Sequence, residues 1–134
     1  MIGDRPSAGH PSPVRRRRGQ KAYESGLQAE QQALALLQTA GYHLLGQRLR
    51  TPFGEVDLLV ENQHWLVGVE VKRRRFLSDS TTALHPRQAS RLLKTLDYLL
   101  QTRPDWGREN TRFDLIAFDH QGQHCHLQDI LRQY

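Results

Sequence analysis

The sequence predicts an α/β domain in which helices cover a central β-sheet, and the order of its hydrophobic patterns supports this fold class. A helical stripe comes first, three strand-like segments follow, and a second helical stripe precedes a further apolar strand. A chain of 134 residues has the usual length of one domain and can bury its own core. We therefore predict a folded domain at residues 21–134, preceded by a disordered basic tail at residues 1–20.

Cysteine content and hydropathy exclude several classes of protein. The single cysteine, Cys125, excludes an internal disulfide framework, and no segment has the apolar length that crosses a bilayer. Four arginines at residues 15–18 are not followed by the apolar run of a secretory signal. We expect a cytoplasmic protein without a membrane partner.

The net charge of +5 is concentrated near the N-terminus. Residues 1–21 contain five arginines and one lysine against a single acidic residue, Asp4, so the remainder of the chain is close to neutral. The segment is also rich in Pro, Gly and Ser, a composition typical of disorder. Two interpretations are open: a solvating extension, or a non-specific contact to the phosphates of nucleic acid.

The first helix is expected at residues 22–40, with Gly41 just after its end, where a left-handed residue is common. Glu30 interrupts its apolar stripe. Such a glutamate either lays its methylene groups along the stripe edge or has a function of its own. The other members of the stripe are Tyr23, Leu27, Leu34 and Leu37.

Three strands are expected next, at residues 42–50, 55–61 and 65–73, and the short connection between the last two predicts an antiparallel hairpin. A four-residue loop would place Asp57 directly opposite Glu70, whereas a two-residue loop would make them diagonal neighbours. Both registers put the two carboxylates on one face. A three-residue loop would separate them, because side chains alternate along a strand.

Alternation divides this hairpin into an aliphatic face and a charged face. The charged face could simply be solvated, but helices on both sides of the sheet would sequester it. Sequestered carboxylates repel each other unless a divalent cation neutralises them. The aliphatic face holds Val56, Leu58, Val60, Val67, Val69 and Val71, and the charged face holds Glu55, Asp57, Glu70 and Lys72 beside Leu59, Leu66 and Gly68.

This charged group suits metal-assisted hydrolysis of phosphodiester bonds. Asp57, Glu70 and the backbone carbonyl of Val71 offer hard oxygen ligands to Mg²⁺ or Mn²⁺, which can activate a water as the nucleophile. Lys72 projects on the same side as Glu70, where it can orient that water and stabilise charge on the phosphate. A bare Asp…Glu-x-Lys pattern is weak evidence, but its placement on a hairpin with matched alternation makes it more specific.

Several segments resemble the YraN family, bacterial proteins similar to the restriction-endonuclease-like PD-(D/E)xK nucleases. The resemblance extends over about residues 18–131 and implies a restriction-endonuclease-like central mixed sheet flanked by helices. It also implies a catalytic site of Asp57, Glu70 and Lys72, with Glu30 as a fourth acidic member. The chain departs from the family pattern at Gln47, Arg73 and Gln88. The segments are GLQAEQQA (26–33), GYHLLGQRLR (41–50), GEVDLLV (54–60), VGVEVKRR (67–74) and RFDLIAF (112–118).

Basic residues outside the tail are candidates for contacting nucleic acid. Three follow the third strand and three lie on the second helix, expected at residues 86–101, where they would line the approach to the carboxylates with positive charge. The alternative is an ordinary solvated helix face. These residues are Arg73, Arg74, Arg75, Arg87, Arg91 and Lys94.

Two further sets of residues give weaker indications. His120, His124, Cys125 and His126 match no usual zinc spacing. Asp114 is expected to form a local salt bridge or to serve the edge of the sheet.

We predict a nucleic-acid-binding protein that hydrolyses phosphodiester bonds with Mg²⁺ or Mn²⁺. DNA is favoured over RNA as the partner, and a homodimer is one option for the assembly. The alternative is a non-catalytic module that binds nucleic acid or a protein partner on the same fold, because fold does not decide activity.

Overall fold

Among the residues that the structure describes, two helices and four strands follow the order that the hydrophobic patterns predict, and a short fifth strand comes after them. The computed structural model describes residues 13–78 and 86–131, and the side chains of the first helix from Gly26 onward. Helix α1 spans Pro13–Thr39, and strands β1, β2 and β3 span His43–Thr51, Gly54–Glu61 and Trp65–Arg73. Helix α2 spans Pro86–Thr102, a 3-10 turn occupies Pro104–Trp106, and strands β4 and β5 span Asn110–Phe118 and His124–Leu127.

The five strands form one mixed sheet whose spatial order, β1-β2-β3-β4-β5, follows the chain. Neighbouring strands are antiparallel except β3 and β4, which are parallel. A parallel pair requires a long crossover connection, and α2 lies in that connection. The predicted α/β class with a central mixed sheet is confirmed.

The helices cover opposite faces of the sheet, because each contributes to a different buried cluster. The α1 cluster contains Ala29, Ala33 and Leu37 of the helix against Leu58, Val60, Val67, Val69, Ile116 and Phe118 of the sheet. The α2 cluster contains Ala89, Leu96 and Leu99 of the helix with Val56, Leu59, Leu66, Trp106, Phe113 and Leu131. Burial of these side chains supplies the main driving force for folding.

Gly68 of β3 permits the close packing of the α2 cluster. A Cβ atom at this position would lie 2.8 Å from two carbons of the Phe113 ring and 3.2 Å from Cδ2 of Leu96. The absence of a side chain at Gly68 therefore leaves room for the Phe113 ring of β4 and Leu96 of α2 to pack over β3.

Val56 corrects one prediction about the faces. Alternation placed it with Leu58 on the aliphatic face, but Leu58 packs in the α1 cluster and Val56 in the α2 cluster. The β1–β2 register pairs Gln47 with Leu58 and Leu49 with Val56, and Arg48 between them has a left-handed φ of 50°. On β2 itself, Val56 lies beyond Leu58, where the backbone pairing with β3 ends, and the period-two alternation does not continue past this point.

The start of α1 also differs from the prediction. The helix begins at Pro13, so residues 13–20, expected to be disordered, are helical. Proline is favoured at the first helical position, and the Arg, Gln and Lys residues that follow are good helix formers. Residues 1–12, the rest of the expected tail, lie outside the described residues. Over the part that the structure describes, neither helix is long and apolar enough to cross a membrane.

A buried polar network lies on the α1 side of β4. Asp114 is 0% exposed, and its carboxylate accepts hydrogen bonds from Nε of Arg112 at 2.9 Å, Nε2 of His126 at 2.8 Å and the backbone N–H of Asp129 at 2.9 Å. Arg112 also donates to the Tyr42 hydroxyl at 2.8 Å. Burial alone would raise the pKa of Asp114, but these hydrogen bonds lower it. The predicted salt bridge of Asp114 is confirmed.

Candidate active site

The hairpin of β2 and β3 adopts the register of the four-residue loop. Leu58 pairs with Val69, and Glu61 pairs with Leu66. The loop is held by Asn62, whose side-chain oxygen accepts hydrogen bonds from the backbone N–H groups of His64 at 3.0 Å and Trp65 at 2.8 Å. Continuing this register by one residue brings Asp57 level with Glu70.

The site lies at a fork where β2 and β3 separate. Counted away from the loop, the last backbone pair is Leu58 with Val69, and Asp57 is the next residue of β2 beyond it. Beyond that point, Oδ2 of Asp57 accepts the backbone N–H of Val71 at 2.8 Å. The carboxylate thus takes the place that a strand carbonyl would occupy, and the N–H group of Val71 stays satisfied.

Asp57 lies beside Glu70 at this fork, because the N–H group that Asp57 accepts belongs to the residue that follows Glu70. Burial and, after it, repulsion by the Glu70 charge raise the pKa of Asp57 from its ordinary 3.8 to about 6, while the Val71 N–H and the Lys72 charge act in the opposite direction. Two carboxylates that repel at close range favour keeping a proton or acquiring a cation. The hairpin register and the Val71 hydrogen bond place Asp57 next to Glu70, and their joint role as a site remains a prediction.

Lys72 borders the same pair. Its Nζ lies 3.3 Å from Oε1 of Glu70, and 40% of its side chain remains exposed. A lysine ammonium has three donors, so this contact leaves others available for water or phosphate. Strand alternation puts Glu70 and Lys72 on the side opposite Val71, which packs against the α1 cluster.

Glu30, the fourth predicted site residue, is paired with Arg48. Its two carboxylate oxygens accept hydrogen bonds from Nε and Nη2 of Arg48, at 3.0 Å and 3.2 Å, and only 14% of its side chain is exposed. Within residues 13–78 and 86–131, no three or more His, Cys, Asp or Glu side chains are grouped so that they could hold a metal ion. The structure thus brings Asp57, Glu70 and Lys72 together, while Glu30 contacts Arg48. A catalytic role for Glu30 remains a prediction.

Arg48 is the site neighbour that the sequence patterns did not single out. It lies between Gln47 and Leu49, whose partners Leu58 and Val56 flank Asp57, has the left-handed φ of 50° noted above, and donates two hydrogen bonds to Glu30. An arginine in the strand before the one that carries Asp57 was a signal in the sequence. Its backbone conformation was not, because left-handed φ is uncommon for arginine.

Four of the predicted basic residues, Arg73, Arg74, Arg75 and Arg91, lie near this end of the sheet. Arg73 is half-buried at the end of β3, whereas Arg74 and Arg75 are exposed just after it. On α2, Arg91 approaches the β1–β2 turn, since a Cβ built on Gly54 would lie 3.8 Å from its Cδ. The remaining exposed members on α2 are Arg87 and Lys94.

Comparison with known proteins identifies relatives over most of the chain. A model described as "Uncharacterised protein family UPF0102" matches residues 29–118. A UPF0102 protein of Granulibacter bethesdensis is 44% identical over 115 residues, which cover 86% of this chain and 73% of that protein. UPF0102 proteins of a Bradyrhizobium species and of Azorhizobium caulinodans are 39% and 36% identical, covering 84% and 88% of this chain and 81% and 90% of their own lengths. The matched range includes Glu30, Asp57, Glu70 and Lys72.

Proposed function

This chain belongs to the uncharacterised protein family UPF0102, the YraN family, and from its carboxylate pair we propose that it binds nucleic acid and hydrolyses phosphodiester bonds with Mg²⁺ or Mn²⁺. The observation that carries this proposal is the hydrogen bond from the Val71 N–H to Asp57 at the strand fork, which sets Asp57 beside Glu70 and its ion pair with Lys72. The mixed sheet with a helix on each face is compatible with the restriction-endonuclease-like fold, which we propose for the chain.

The donor set fits a hard divalent cation. Burial first, and the Glu70 charge second, raise the pKa of Asp57 to about 6, and a bound cation would offset both effects. Mg²⁺ is commonly bound by one or two carboxylates, with waters and substrate phosphates as the remaining ligands. In our proposal Asp57, Glu70 and the carbonyl of Val71 hold the ion. When bound, it would polarise the phosphate and lower the pKa of the attacking water.

Lys72 would act on the substrate. Its ammonium group is partly exposed and lies 3.3 Å from Glu70, so it can donate to a phosphate oxygen at the edge of the same site. A fixed cation at the place where negative charge develops stabilises the transition state more than the ground state. We propose this role for Lys72 and a positioning role for Glu30, which holds the guanidinium of Arg48 beside β2.

The basic residues would supply affinity for the polyanion. Arg74 and Arg75 are exposed immediately after the strand that carries Glu70 and Lys72, and Arg91 lies beside the turn that leads into β2. Contacts of this kind to phosphates are independent of sequence and weaken as the salt concentration rises.

One observation favours the second candidate, a non-catalytic module that binds nucleic acid or a protein partner. Lys72 already neutralises part of the charge on Glu70, and the described residues group no third carboxylate with the pair. In a binding module these contacts would serve only to stabilise the fork.

Cleavage assays test the proposal. Labelled single-stranded, duplex and branched DNA and RNA are incubated with Mg²⁺ or Mn²⁺ and with wild type, Asp57→Asn or Lys72→Ala. We expect both variants to lose roughly 100-fold or more of the turnover, the scale seen when one group that stabilises a transition state is removed. Asp97→Asn is the matched control, because Asp97 is an exposed carboxylate of α2 that contacts Gln101. Binding without cleavage of any substrate would favour the module and reject the nuclease.

A further inference from the structure

Phe76 is an exposed aromatic side chain beside the candidate site. It lies three residues beyond the end of β3, and 52% of its surface is accessible to water. Isolated exposed apolar residues are common on proteins and by themselves require no explanation. The neighbours of Phe76, however, are the kind found in nucleic-acid-binding surfaces.

A cation and an imidazole contact the Phe76 ring. The guanidinium carbon of Arg75 lies 5.6 Å from the ring centroid, within the range of a cation–π contact. The ring of His120 meets Phe76 edge-on, with centroids 5.8 Å apart and an angle of 83° between the planes. These contacts orient the ring while leaving about half of the residue open.

The backbone under Phe76 is tied to the sheet. The N–H of Arg74 donates to the carbonyl of Phe118 at 2.8 Å, which continues the alignment of β3 with β4. Nδ1 of His120 lies 2.7 Å from the carbonyl oxygen of Arg75, and because a carbonyl can only accept, this nitrogen donates. The two residues that precede Phe76 are therefore fixed by backbone hydrogen bonds, one to β4 and one to His120.

We propose that Phe76 is a stacking platform for an unpaired base, and that nucleic acid with a single-stranded segment is the substrate class. Exposed aromatic rings combined with a basic track are how proteins hold single strands, because every base offers a π-face and every nucleotide a phosphate. Arg74 and Arg75 provide positive charge for the phosphates on either side of the stacked base. A base inside a duplex has both faces covered, so the ring selects unpaired nucleotides.

The platform is close enough to serve the carboxylate pair. Phe76 is four residues after Lys72, so their Cα atoms are at most about 14 Å apart. A stacked strand covers that distance with about four nucleotides. This step rests on the proposed function, since it assumes that the strand held at Phe76 continues to Asp57 and Glu70. The stacking itself does not depend on catalysis.

The test measures binding in EDTA, where neither a divalent cation nor cleavage contributes. Dissociation constants are determined for 12-nucleotide single-stranded DNA and RNA and for a blunt DNA hairpin closed by a non-nucleotide linker, in which every base is paired, with wild type and Phe76→Ala. We expect Phe76→Ala to weaken binding of at least one single strand roughly 10-fold or more. Binding of the hairpin should change less than about 2-fold. Whichever of the two single strands, DNA or RNA, loses more affinity in Phe76→Ala is the one that stacks on Phe76 more strongly.

Phe53→Ala is the matched control. Phe53 is also an exposed phenylalanine, at 42%, but its ring meets Tyr98 edge-on rather than an arginine and a histidine. Phe53→Ala should bind the single strands with an affinity within about 2-fold of wild type. Phe76→Trp should restore single-strand binding and add a tryptophan fluorescence that stacked bases quench. Melting temperatures of all variants show whether they are folded, which we expect because both phenylalanines are exposed.

Three outcomes would overturn the inference: unchanged single-strand affinity in Phe76→Ala, an equal loss in Phe53→Ala, or an equal loss for the hairpin. These outcomes are separate from a failure of the proposed function. A protein that never cleaves can still show the stacking effect in EDTA, and a nuclease active on all substrates can lack it.

Discussion

The carboxylate of Asp57 accepts the backbone N–H of Val71 at 2.8 Å, just beyond the last backbone pair of β2 and β3. Val71 stands between Glu70 and Lys72, so this one hydrogen bond fixes Asp57 relative to both. Because the acceptor is a side chain, the strands separate without leaving the Val71 N–H unpaired. The three side chains are therefore held together by a feature of the fold, whether or not an ion is bound.

The first prediction concerns Asp57→Asn and pH. The folded pKa of about 6 lies above the ordinary 3.8, so the native state binds this proton more tightly than the unfolded state. The stability that Asp57 contributes is full below pH 3.8 and is lost as the pH rises through 6. At pH 8 the asparagine variant should thus unfold with a free energy about 1–2 kcal/mol higher than wild type, allowing for screening of this half-buried group by water.

Urea denaturation at pH 5 and pH 8 measures this effect. The increase in the free energy of unfolding of Asp57→Asn over wild type should be smaller at pH 5, where Asp57 of wild type is largely protonated. The asparagine oxygen can still accept the Val71 N–H, so the fork should persist. Asp97→Asn, in the exposed part of α2, should stay within about 0.5 kcal/mol of wild type at both pH values. A destabilised Asp57→Asn protein at pH 8 would show that burial of the Asp57 charge and repulsion by Glu70 do not destabilise the folded protein.

The second prediction concerns metal ions and thermal stability. Mg²⁺ or Mn²⁺ bound only by the folded protein should raise the melting temperature, and a hundredfold excess over Kd corresponds to about 2.7 kcal/mol. Asp57→Asn and Glu70→Gln should remove this response. Lys72→Ala should retain it, because the lysine neutralises Glu70 and would otherwise compete with the ion.

Thermal denaturation with and without the ion checks this pattern, and Glu55→Gln is the control. Glu55 lies on the same strand as Asp57, but its carboxylate is exposed and pairs with Arg50. It should keep the full metal response. An unchanged melting temperature of wild type in millimolar Mn²⁺ would contradict the metal site.

The convergence of Asp57 and Glu70 could be predicted from sequence because it depends on strand alternation and loop length, which are local. The contact between Glu30 and Arg48 could not, since it joins a helix to a strand through an unusual arginine backbone angle. Val56 was assigned to the wrong face because it lies beyond the last backbone pair of β2 and β3, where the alternation no longer holds. Patterns with a fixed period predict regular strands and fail where one residue leaves the pleat.

The third prediction concerns the buried ion pair of Arg112 and Asp114. Asp114→Ala should lower the free energy of unfolding by about 3–5 kcal/mol, because it leaves the Arg112 guanidinium buried without its charged partner. The double variant Arg112→Leu/Asp114→Leu should recover much of this loss, since it leaves no unpaired charge. Urea denaturation of the single and double variants measures both. A double variant no more stable than Asp114→Ala would show that Tyr42 and His126 also require the pair.

The fourth prediction concerns Gly68→Ala. The added Cβ would lie 2.8 Å from the Phe113 ring, so the substitution should destabilise the protein by about 1–3 kcal/mol through overpacking. Gly26→Ala is the control, because no atom lies within 4 Å of the new Cβ and the position is helical. The free energy of unfolding of Gly26→Ala should rise by about 0.5–1 kcal/mol. Calorimetric melting of the two proteins should give shifts of opposite sign.

The parallel pairing of β3 with β4 has a consequence for the order of folding. Asp57 and Glu70 belong to one hairpin, which closes over a short loop, whereas β4 reaches β3 only after the chain has passed through α2. Pairings distant in sequence cost more loop entropy and form more slowly. In a chain emerging from the ribosome, we expect the repelling carboxylates to meet first, and the network of Asp114 and His126 to join later, when β4 and β5 complete the sheet.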